Sequence, residues 1–177
     1  MGRLTEQTEQ PEHPAGTDRC ADSATIRVLH ELYEPLRRFA AVVGRWDVEP
    51  DDLVQEAYAR FLRLEPGAVR DLGPYLRRVI ANAAIDERRR VRRAEAARLR
   101  LVGDGDGNAT DSYPSELADL LQLDPRARGL LYLVEVEGEP IGDAARAVGM
   151  GAAAARMALT RARRQLRAVL ESEREDD

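Results

Sequence analysis

Apolar residues recur at intervals of three and four along most of the chain, which is the spacing of α-helices with one buried face. From Ser23 this spacing continues to Val43, and Gly44 follows as a plausible helix end. A second helix is predicted after Pro50, because proline and acidic residues suit the first turn of a helix. A third is predicted from about Pro74 and continues into a cluster of arginines. The first hundred residues therefore predict three amphipathic helices.

The pattern breaks at residues 101–116, LVGDGDGNATDSYPSE, where glycine alternates with polar residues as in a flexible linker. Beyond it we predict a short amphipathic helix from Leu117 to Leu123, then one that opens at Pro125 and ends at Gly138. Two more helices are predicted around a Gly-Met-Gly turn. We therefore expect an all-α protein of two small helical domains joined by a flexible linker. The expected segments are a disordered leader at 1–22, a first domain at 23–100, the linker at 101–114, a second domain at 115–171 and an acidic tail at 172–177.

Charge is unevenly distributed along the chain. The net charge is -5, which argues against a protein that merely coats nucleic acid. All 27 basic residues are arginines, and seven of them lie between Arg88 and Arg100 with Glu95 as the one acid. Acids concentrate instead at residues 49–56, at 104–119 and in the tail. This segregation predicts separate surfaces for partners of opposite sign.

Several classes of function are disfavoured. No stretch approaches the roughly 20 apolar residues of a membrane helix, and the polar N-terminus lacks the apolar core of a signal peptide, so we expect a cytoplasmic protein without membrane insertion. Cys20 is the one cysteine, and with His13 and His30 it gives no metal-ligand spacing. No nucleophile, base and orienting residue recur together. We therefore expect no metal, no cofactor and no enzymatic activity.

The predicted second helix gathers acidic and amide side chains on its polar side. At 100° per residue, one half of the helix holds the apolar residues Leu53, Val54, Ala57, Tyr58, Phe61 and Leu64. The other half begins with Asp51, Asp52, Gln55 and Glu56. These residues form either a solvated face, since acids near a helix N-terminus are favoured anyway, or a docking surface for a positively charged partner.

The predicted third helix places one amide among several guanidinium groups. Its polar candidates Arg78, Asn82, Arg89 and Arg93 project within a sector of roughly 60°. Asparagine has poor propensity in mid-helix, so Asn82 either bonds a nearby carbonyl or packs as a polar residue, or it reads the edge of an unstacked base. In the second case the arginines would hold phosphates. The further candidates are Asp86, which could orient an arginine, and Tyr75 and Trp46, which either stack on a base or belong to the core.

The last two predicted helices suit a helix-turn-helix, although an ordinary helical hairpin with a solvated arginine face has the same spacing. In a helix-turn-helix the N-terminal residues of the second helix meet base edges, and here these are Gly151, Ala153, Ala154, Arg156 and Met157. Arg156 alone among them can form a bidentate contact with guanine. The candidates further along this helix, better placed for phosphates than for bases, are Thr160, Arg161 and Arg164.

The motif DDLVQEAYARFLR, followed by YLRRVIANAAIDERRRVRR, resembles the second conserved region of bacterial sigma factors of the sigma-70 family, extracytoplasmic-function (ECF) group. The later segment DPRARGLLYLVEVEGEPIGDAARAVGMGAAAARMALTRARRQLRAVL is similar to their fourth region. This resemblance implies a promoter-specificity subunit that joins RNA polymerase core and melts promoter DNA. It implies that the acidic face docks on the basic coiled coil of the β′ subunit, and that Asn82 and the preceding loop surround a base flipped out of the minus-ten element. It also implies docking on the β flap, and an anti-sigma partner is usual in the family.

The resemblance weakens in the fourth region. Where the family usually begins its recognition helix with Gly-Thr-Val-Lys-Ser-Arg, this chain has Ala153 to Ala158 with Arg156 and Met157 among them. Reading of a minus-thirty-five element is therefore expected to be unusual or weak. Two other functions stay open: a stand-alone helix-turn-helix regulator, and a decoy that binds polymerase core but has lost promoter reading.

Overall fold

The structure, a computed structural model, describes residues 23–102 and 123–175. Within these ranges the chain forms α-helices and no strand, so the predicted all-α fold is confirmed. The helices are α1 (Ser23–Val43), α2 (Pro50–Leu62), α3 (Leu72–Val102), α4 (Pro125–Glu135), α5 (Ile141–Ala147) and α6 (Ala152–Glu175). The predicted leader, the short helix from Leu117 and most of the predicted linker lie outside the described residues.

Local chemistry sets most of the helix ends where the sequence predicted them. At the end of α1 the amide of Gly44 donates to the carbonyl of Ala40 over 2.8 Å, and a Cβ at Gly44 would lie only 2.8 Å from that oxygen. Helix α4 starts with Pro125 after Asp124, whose side chain accepts from the amide of Arg126 over 3.0 Å as an N-cap. After α5 the chain turns at Gly149, whose φ of 70° favours glycine.

Two helices are longer than expected at their C-terminal ends. Helix α3 continues to Val102, two residues into the predicted linker. Helix α6 continues through residues 171–175 to Glu175, into the segment expected as an acidic tail. The extension of α6, ESERE, consists largely of glutamate and arginine, and that of α3 begins with Leu101; all three residue types are good helix formers. Propensity therefore carries these helices beyond the point where the apolar pattern fades.

Helices α1, α2 and α3 pack on one another, and so do α4, α5 and α6. Phe39, Leu36 and Ile80 are fully buried in the first group, and Leu130 and Leu133 are fully buried in the second. The apolar stripes that the sequence predicted for these helices therefore face inward. None of the described helices is long and apolar enough to cross a membrane.

The two groups of helices share one hydrophobic core, which the sequence did not predict. Helix α4 packs against α1, and α3 contacts both α4 and α5. Gly129 in α4 makes the approach to α1 possible, because a Cβ there would lie 2.9 Å from ring atoms of Phe39 and from Cγ1 of Val43. The rings of Phe39 and Tyr132 are also neighbours, with centroids 6.5 Å apart. The division into two domains stays a prediction, but in this structure the halves are packed together.

A buried arginine joins the halves at the end of α1. Arg128 in α4 is 7% exposed and donates to the carbonyl oxygens of Val43 and Gly44 over 2.6 and 3.0 Å. Carbonyls at a helix C-terminus lack partners within the helix and carry partial negative charge, so they suit a guanidinium. Burial lowers the pKa of Arg128 to about 10. The side chain is therefore still charged at neutral pH.

Candidate functional site

The polar face of α2 is open to solvent. Asp52, Gln55 and Glu56 are exposed, whereas Leu53 and Val54 on the opposite side are buried. The predicted division of this helix into an apolar and a polar half is therefore confirmed in its first two turns, whereas Leu64, expected on the apolar half, follows the helix and is exposed. Glu56 pairs with Arg60 one turn later over 2.5 Å, and both side chains stay near half exposed. An exposed i,i+4 pair of this kind stabilises a helix by only about 0.3–0.5 kcal/mol, so it leaves Glu56 available to a partner.

Asp51 differs from its three neighbours because its carboxylate bonds to side chains of another helix, α1. Its carboxylate accepts from the hydroxyl of Tyr33 over 2.8 Å and from Nε of Arg37 over 3.1 Å. The hydrogen bond to Asp51 raises the pKa of Tyr33. Asp51 therefore holds the start of α2 against α1, and the open part of the acidic face consists of the other three side chains.

A surface groove extends this acidic face from α2 toward α3. It is lined by Asp52 and Glu56 together with Asp47, Glu87 and Arg90. The lining has four acids and one arginine, although Glu87 bonds to Arg90, Glu56 to Arg60 and Asp47 to Arg45. Sequence reasoning missed Asp47 and Glu87 as part of this surface. Glu87 is hidden by its distance along the chain, because it belongs to α3 and meets α2 only through packing, and Asp47 lies in the turn before α2, where helical spacing predicts no face.

The arginine face of α3 lies beyond the groove. Arg89 and Arg93 are exposed, and their contacts within the described part of the chain are weak. Arg89 lies 3.8 Å from the carboxylate of Asp86, and Arg93 donates to the carbonyl of Arg89 over 3.2 Å. Asp86 therefore lies where it was expected, next to an arginine, but at a distance that orients it only loosely. The guanidinium groups of this face stay accessible to an anionic partner.

Asn82 lies on α3 against the second half of the chain. Its Oδ1 accepts from Nη2 of Arg126 in α4 over 2.8 Å. The sequence left two interpretations open for Asn82, and this contact is a form of polar packing that neither spacing nor propensity revealed. The contact spans 44 positions of sequence. In this structure the amide is therefore occupied by the protein itself.

The neighbouring aromatic and cationic candidates of α3 are distributed as follows. Tyr75 is partly buried, its ring centroid 6.4 Å from that of Phe61, and the guanidinium of Arg78 lies 5.9 Å from the Tyr75 centroid. The aliphatic part of Arg78 also lies against Gly149, where a Cβ would come within 3.2 Å. Trp46 is 54% exposed, so of the two interpretations its placement in the core is wrong. Tyr75 and Arg78 therefore contact each other on α3, whereas Trp46 lies at the surface.

Helix α6 presents a different surface. Ala153, Ala154 and Met157 are exposed in its first turns, with Met157 63% exposed. Arg156 and Arg164 are exposed as well, and Gly151 precedes the helix at the surface. Thr160 donates to the carbonyl of Arg156 over 2.9 Å, and Arg161 donates to that of Met157 over 3.3 Å. The predicted candidates of this helix therefore share one solvent-exposed side, which is rich in methyl groups and arginines and poor in other polar groups.

The described residues contain no group of three or more histidines, cysteines, aspartates and glutamates that could hold a metal ion. The candidate surfaces are thus defined by charge and hydrogen bonding. Two surfaces of opposite sign meet along α3. The acidic groove lies on the side of α3 that faces α2, and Asn82 and the exposed arginines lie on another side of the helix. Such a pair suits binding of one basic and one anionic macromolecule.

Comparison with known families identifies the first of the two halves. Residues 28–94 match the family model described as Sigma-70 region 2. The matched segment includes the whole acidic face of α2 as well as Asn82 and the arginines of α3 as far as Arg93. No curated protein and no solved structure matches the chain. The chain therefore contains a sigma-70 region 2 domain, and this match supports its membership of the sigma-70 family.

Proposed function

We propose that this protein is an RNA polymerase sigma factor of the ECF group, which joins core polymerase in the cytoplasm and directs promoter recognition, melting and initiation. The observation that carries the proposal is the exposed acidic face of α2 inside a segment that matches sigma-70 region 2. Asp52 is exposed and Glu56 has only an exposed, weak pair with Arg60, so this face suits a basic partner. Complementary potential of this kind speeds encounter and fixes register.

The same proposal assigns promoter DNA to α3. Asn82 offers both an acceptor and a donor, the pair needed for a bidentate contact with adenine, and the arginines around it offer charge to phosphates. In this assignment Tyr75, Arg78 and Asp86 support the base-reading amide, and Arg89 and Arg93 bind the backbone of separated strands. The protein itself makes and breaks no bond, and catalysis belongs to the polymerase.

The second half is assigned to upstream promoter DNA, with weaker base recognition than the first half. Helices α5 and α6, with the turn at Gly149 between them, have the arrangement of a helix-turn-helix. The exposed side of α6 begins with alanines, so base reading there depends on Arg156 and on contacts of methyl groups with thymine. Arg161 and Arg164 contribute phosphate contacts without sequence information. Recognition of a minus-thirty-five element is accordingly weak in this proposal.

Reconstitution with core polymerase tests the proposal. The purified protein is expected to co-elute with core and to start transcripts from a genomic library, and charge reversal by Glu56→Arg should weaken the complex by at least about tenfold. The matched control is Glu31→Arg, which reverses an exposed acid on α1 and should leave binding unchanged. Circular dichroism of both variants verifies that the helices are intact. Undiminished binding of Glu56→Arg, or a parent protein that starts no transcript, contradicts the proposal.

The alanine-rich start of α6 favours one other function, that of a decoy. A decoy would keep the acidic docking face and occupy core polymerase without opening promoters. The same reconstitution separates the two functions, since a decoy co-elutes with core and inhibits initiation by other sigma factors while starting no transcript of its own. Footprinting of the complex adds a second measurement: strong, sequence-dependent protection upstream would contradict weak reading by α6.

A further inference from the structure

The contact between the two halves covers the residues of α3 that are assigned to DNA. Oδ1 of Asn82 is taken up by Arg126, and the stem of Arg78 is packed on Gly149 in the turn before α6. A bidentate contact with a base needs both polar atoms of the asparagine amide. While Arg126 bonds Oδ1, one of its two lone pairs is taken, and a base in bidentate contact would have to share this atom with the guanidinium.

Further polar contacts hold this arrangement in place. Arg77, on α3, donates to Glu139 over 2.6 Å and to Glu137 over 2.8 Å, and its side chain is only 14% exposed. Arg128, on α4, donates to two backbone carbonyl oxygens at the end of α1. Both sets of bonds involve a guanidinium that is largely shielded from water, which makes them stronger than exposed ion pairs. The first half is therefore bound to the second at two places besides Asn82, through Arg77 on α3 and through the end of α1.

The apolar part of the contact is as specific as the polar part. Gly129 lies directly on Phe39 and Val43, both of which are fully buried, and any side chain at this position would collide with them. Close packing of this quality resembles the interior of a single domain. By contrast, Asp52, Gln55 and Glu56 lie on the far side of α2 and stay exposed. The packing of the halves thus covers one candidate surface and leaves the other open.

We propose that this is a closed form of the protein, in which α4 and the α5–α6 turn occupy the base-reading surface of α3 while the acidic face of α2 stays free to bind a basic partner. The role of Asn82 in base reading rests on the proposed function, whereas the packing of the second half against α3 does not. In this form the protein can dock before it can hold melted DNA. Separation of the halves then frees Asn82 and Arg78 together, because Arg126 and Gly149 leave with the second half.

A disulfide across the contact provides the test. The Cβ atoms of Val43→Cys and Gly129→Cys would be no more than about 4.4 Å apart, since a Cβ at Gly129 lies 2.9 Å from Cγ1 of Val43, and that separation is within the range a disulfide spans. Cys20→Ser removes the single native cysteine. Mild oxidation of the full-length double variant is expected to form this bond within one chain. Failure to form it in the soluble, helical protein would overturn the closure.

Binding of a fluorescent pool of random-sequence single-stranded oligonucleotides then measures the covering of α3. The oxidised protein is expected to bind at least about tenfold more weakly than the same sample after reduction, because the fraction of molecules that can open and bind DNA falls toward zero. Adding Asn82→Ala should shrink this difference. Equal affinity before and after reduction would overturn the inference.

An opening variant gives the opposite readout without cysteines. Gly129→Leu should separate the halves, enlarge the radius of gyration in X-ray scattering and raise oligonucleotide affinity by about threefold or more. Gly142→Leu is the matched control, because a Cβ there meets nothing within 4 Å. An enlarged protein whose affinity is unchanged would overturn the covering of α3.

A polymerase arm separates this inference from the proposed function. The oxidised, disulfide-linked variant should co-elute normally with core enzyme and should start few transcripts until the disulfide is reduced. Transcription that is equal in both redox states overturns the inference and leaves the proposed function intact. A protein that starts no transcript in either state contradicts the proposed function, and the oligonucleotide measurements then decide on the closure alone.

Discussion

Helices α3 and α6 are both long, both carry several exposed arginines and are both assigned to DNA, yet they differ in what lies among the arginines. Helix α3 combines them with an amide and an aromatic ring, whereas the first turns of α6 offer alanines and Met157. Arginines alone supply affinity, and base recognition needs side chains with a fixed pattern of donors and acceptors. Both halves therefore carry exposed positive charge, whereas the side chains suited to reading bases are concentrated in the first half.

The largest expected effect concerns the core that supports both helices. Phe39→Ala should lower the free energy of unfolding by about 3–5 kcal/mol, because Phe39 is fully buried between α1 and α4. Denaturant unfolding followed by fluorescence of the single tryptophan reports on the first half, and circular dichroism reports on all helices. Coincident transitions are expected for one packed unit. Leu62→Ala, at an exposed position, is the control and should change stability by less than about 0.5 kcal/mol.

The second effect concerns base reading itself. Asn82→Ala should reduce formation of open promoter complexes by about 10- to 100-fold, the equivalent of about 1–3 kcal/mol for one bidentate contact. Arg156→Ala on α6 should reduce it by no more than about threefold, since the alanines around it leave little base reading to lose. Permanganate footprinting of melted thymines measures both variants in the reconstituted polymerase. Equal losses from the two substitutions would break the contrast between α3 and α6.

The third effect concerns the share of phosphate contacts. Arg164→Ala should weaken DNA binding similarly on all sequences and reduce the slope of log K against log salt by about 1, the value for one lost phosphate contact. Ala154→Arg, at an exposed position in the first turn of α6, should increase the slope by about 1. Titration of the polymerase complex on duplex DNA at several salt concentrations gives both slopes. An unchanged slope for Arg164→Ala would place that residue away from the backbone.

The smallest effect tests the acidic side of the first half. Hydrogen bonds from Arg45, over 2.8 and 3.1 Å, hold the pKa of Asp47 below its usual range. A carboxyl group with a lowered folded-state pKa adds stability above its unfolded pKa and loses it as the pH falls through the folded value. The pair is partly exposed, so its contribution should stay below about 1 kcal/mol. The stability difference between the parent and Asp47→Asn should therefore be present at pH 7 and be lost as the pH falls through the lowered folded-state pKa.

The sequence was sufficient for the parts of the fold that depend on neighbours along the chain. The apolar spacing located α1, α2 and the start of α3, and Pro50 and Pro125 marked helix starts that the structure confirms. The acidic face of α2 was predictable for the same reason, because its members lie within two turns. In these elements each helix position follows from residues no more than four places away.

Contacts between distant segments were not predictable in this way. Arg126 and Asn82 are separated by 44 positions, and Arg128 bonds a carbonyl 85 positions away. A glycine followed by leucines in α4 signals a helix, but only the fold reveals that this glycine meets Phe39. Trp46 was misplaced because large aromatics are buried on average, whereas this one follows α1 in a loop at the surface.

The identity of the residue at position 128 has a consequence for how the halves could part. A planar guanidinium reaches two successive carbonyl oxygens at once, and its proton is retained at every pH found in a living cell, since its pKa is about 10. Acetylation, which neutralises lysine, has no target at this position. We therefore expect neither acidity nor acetylation to break these two hydrogen bonds between the halves.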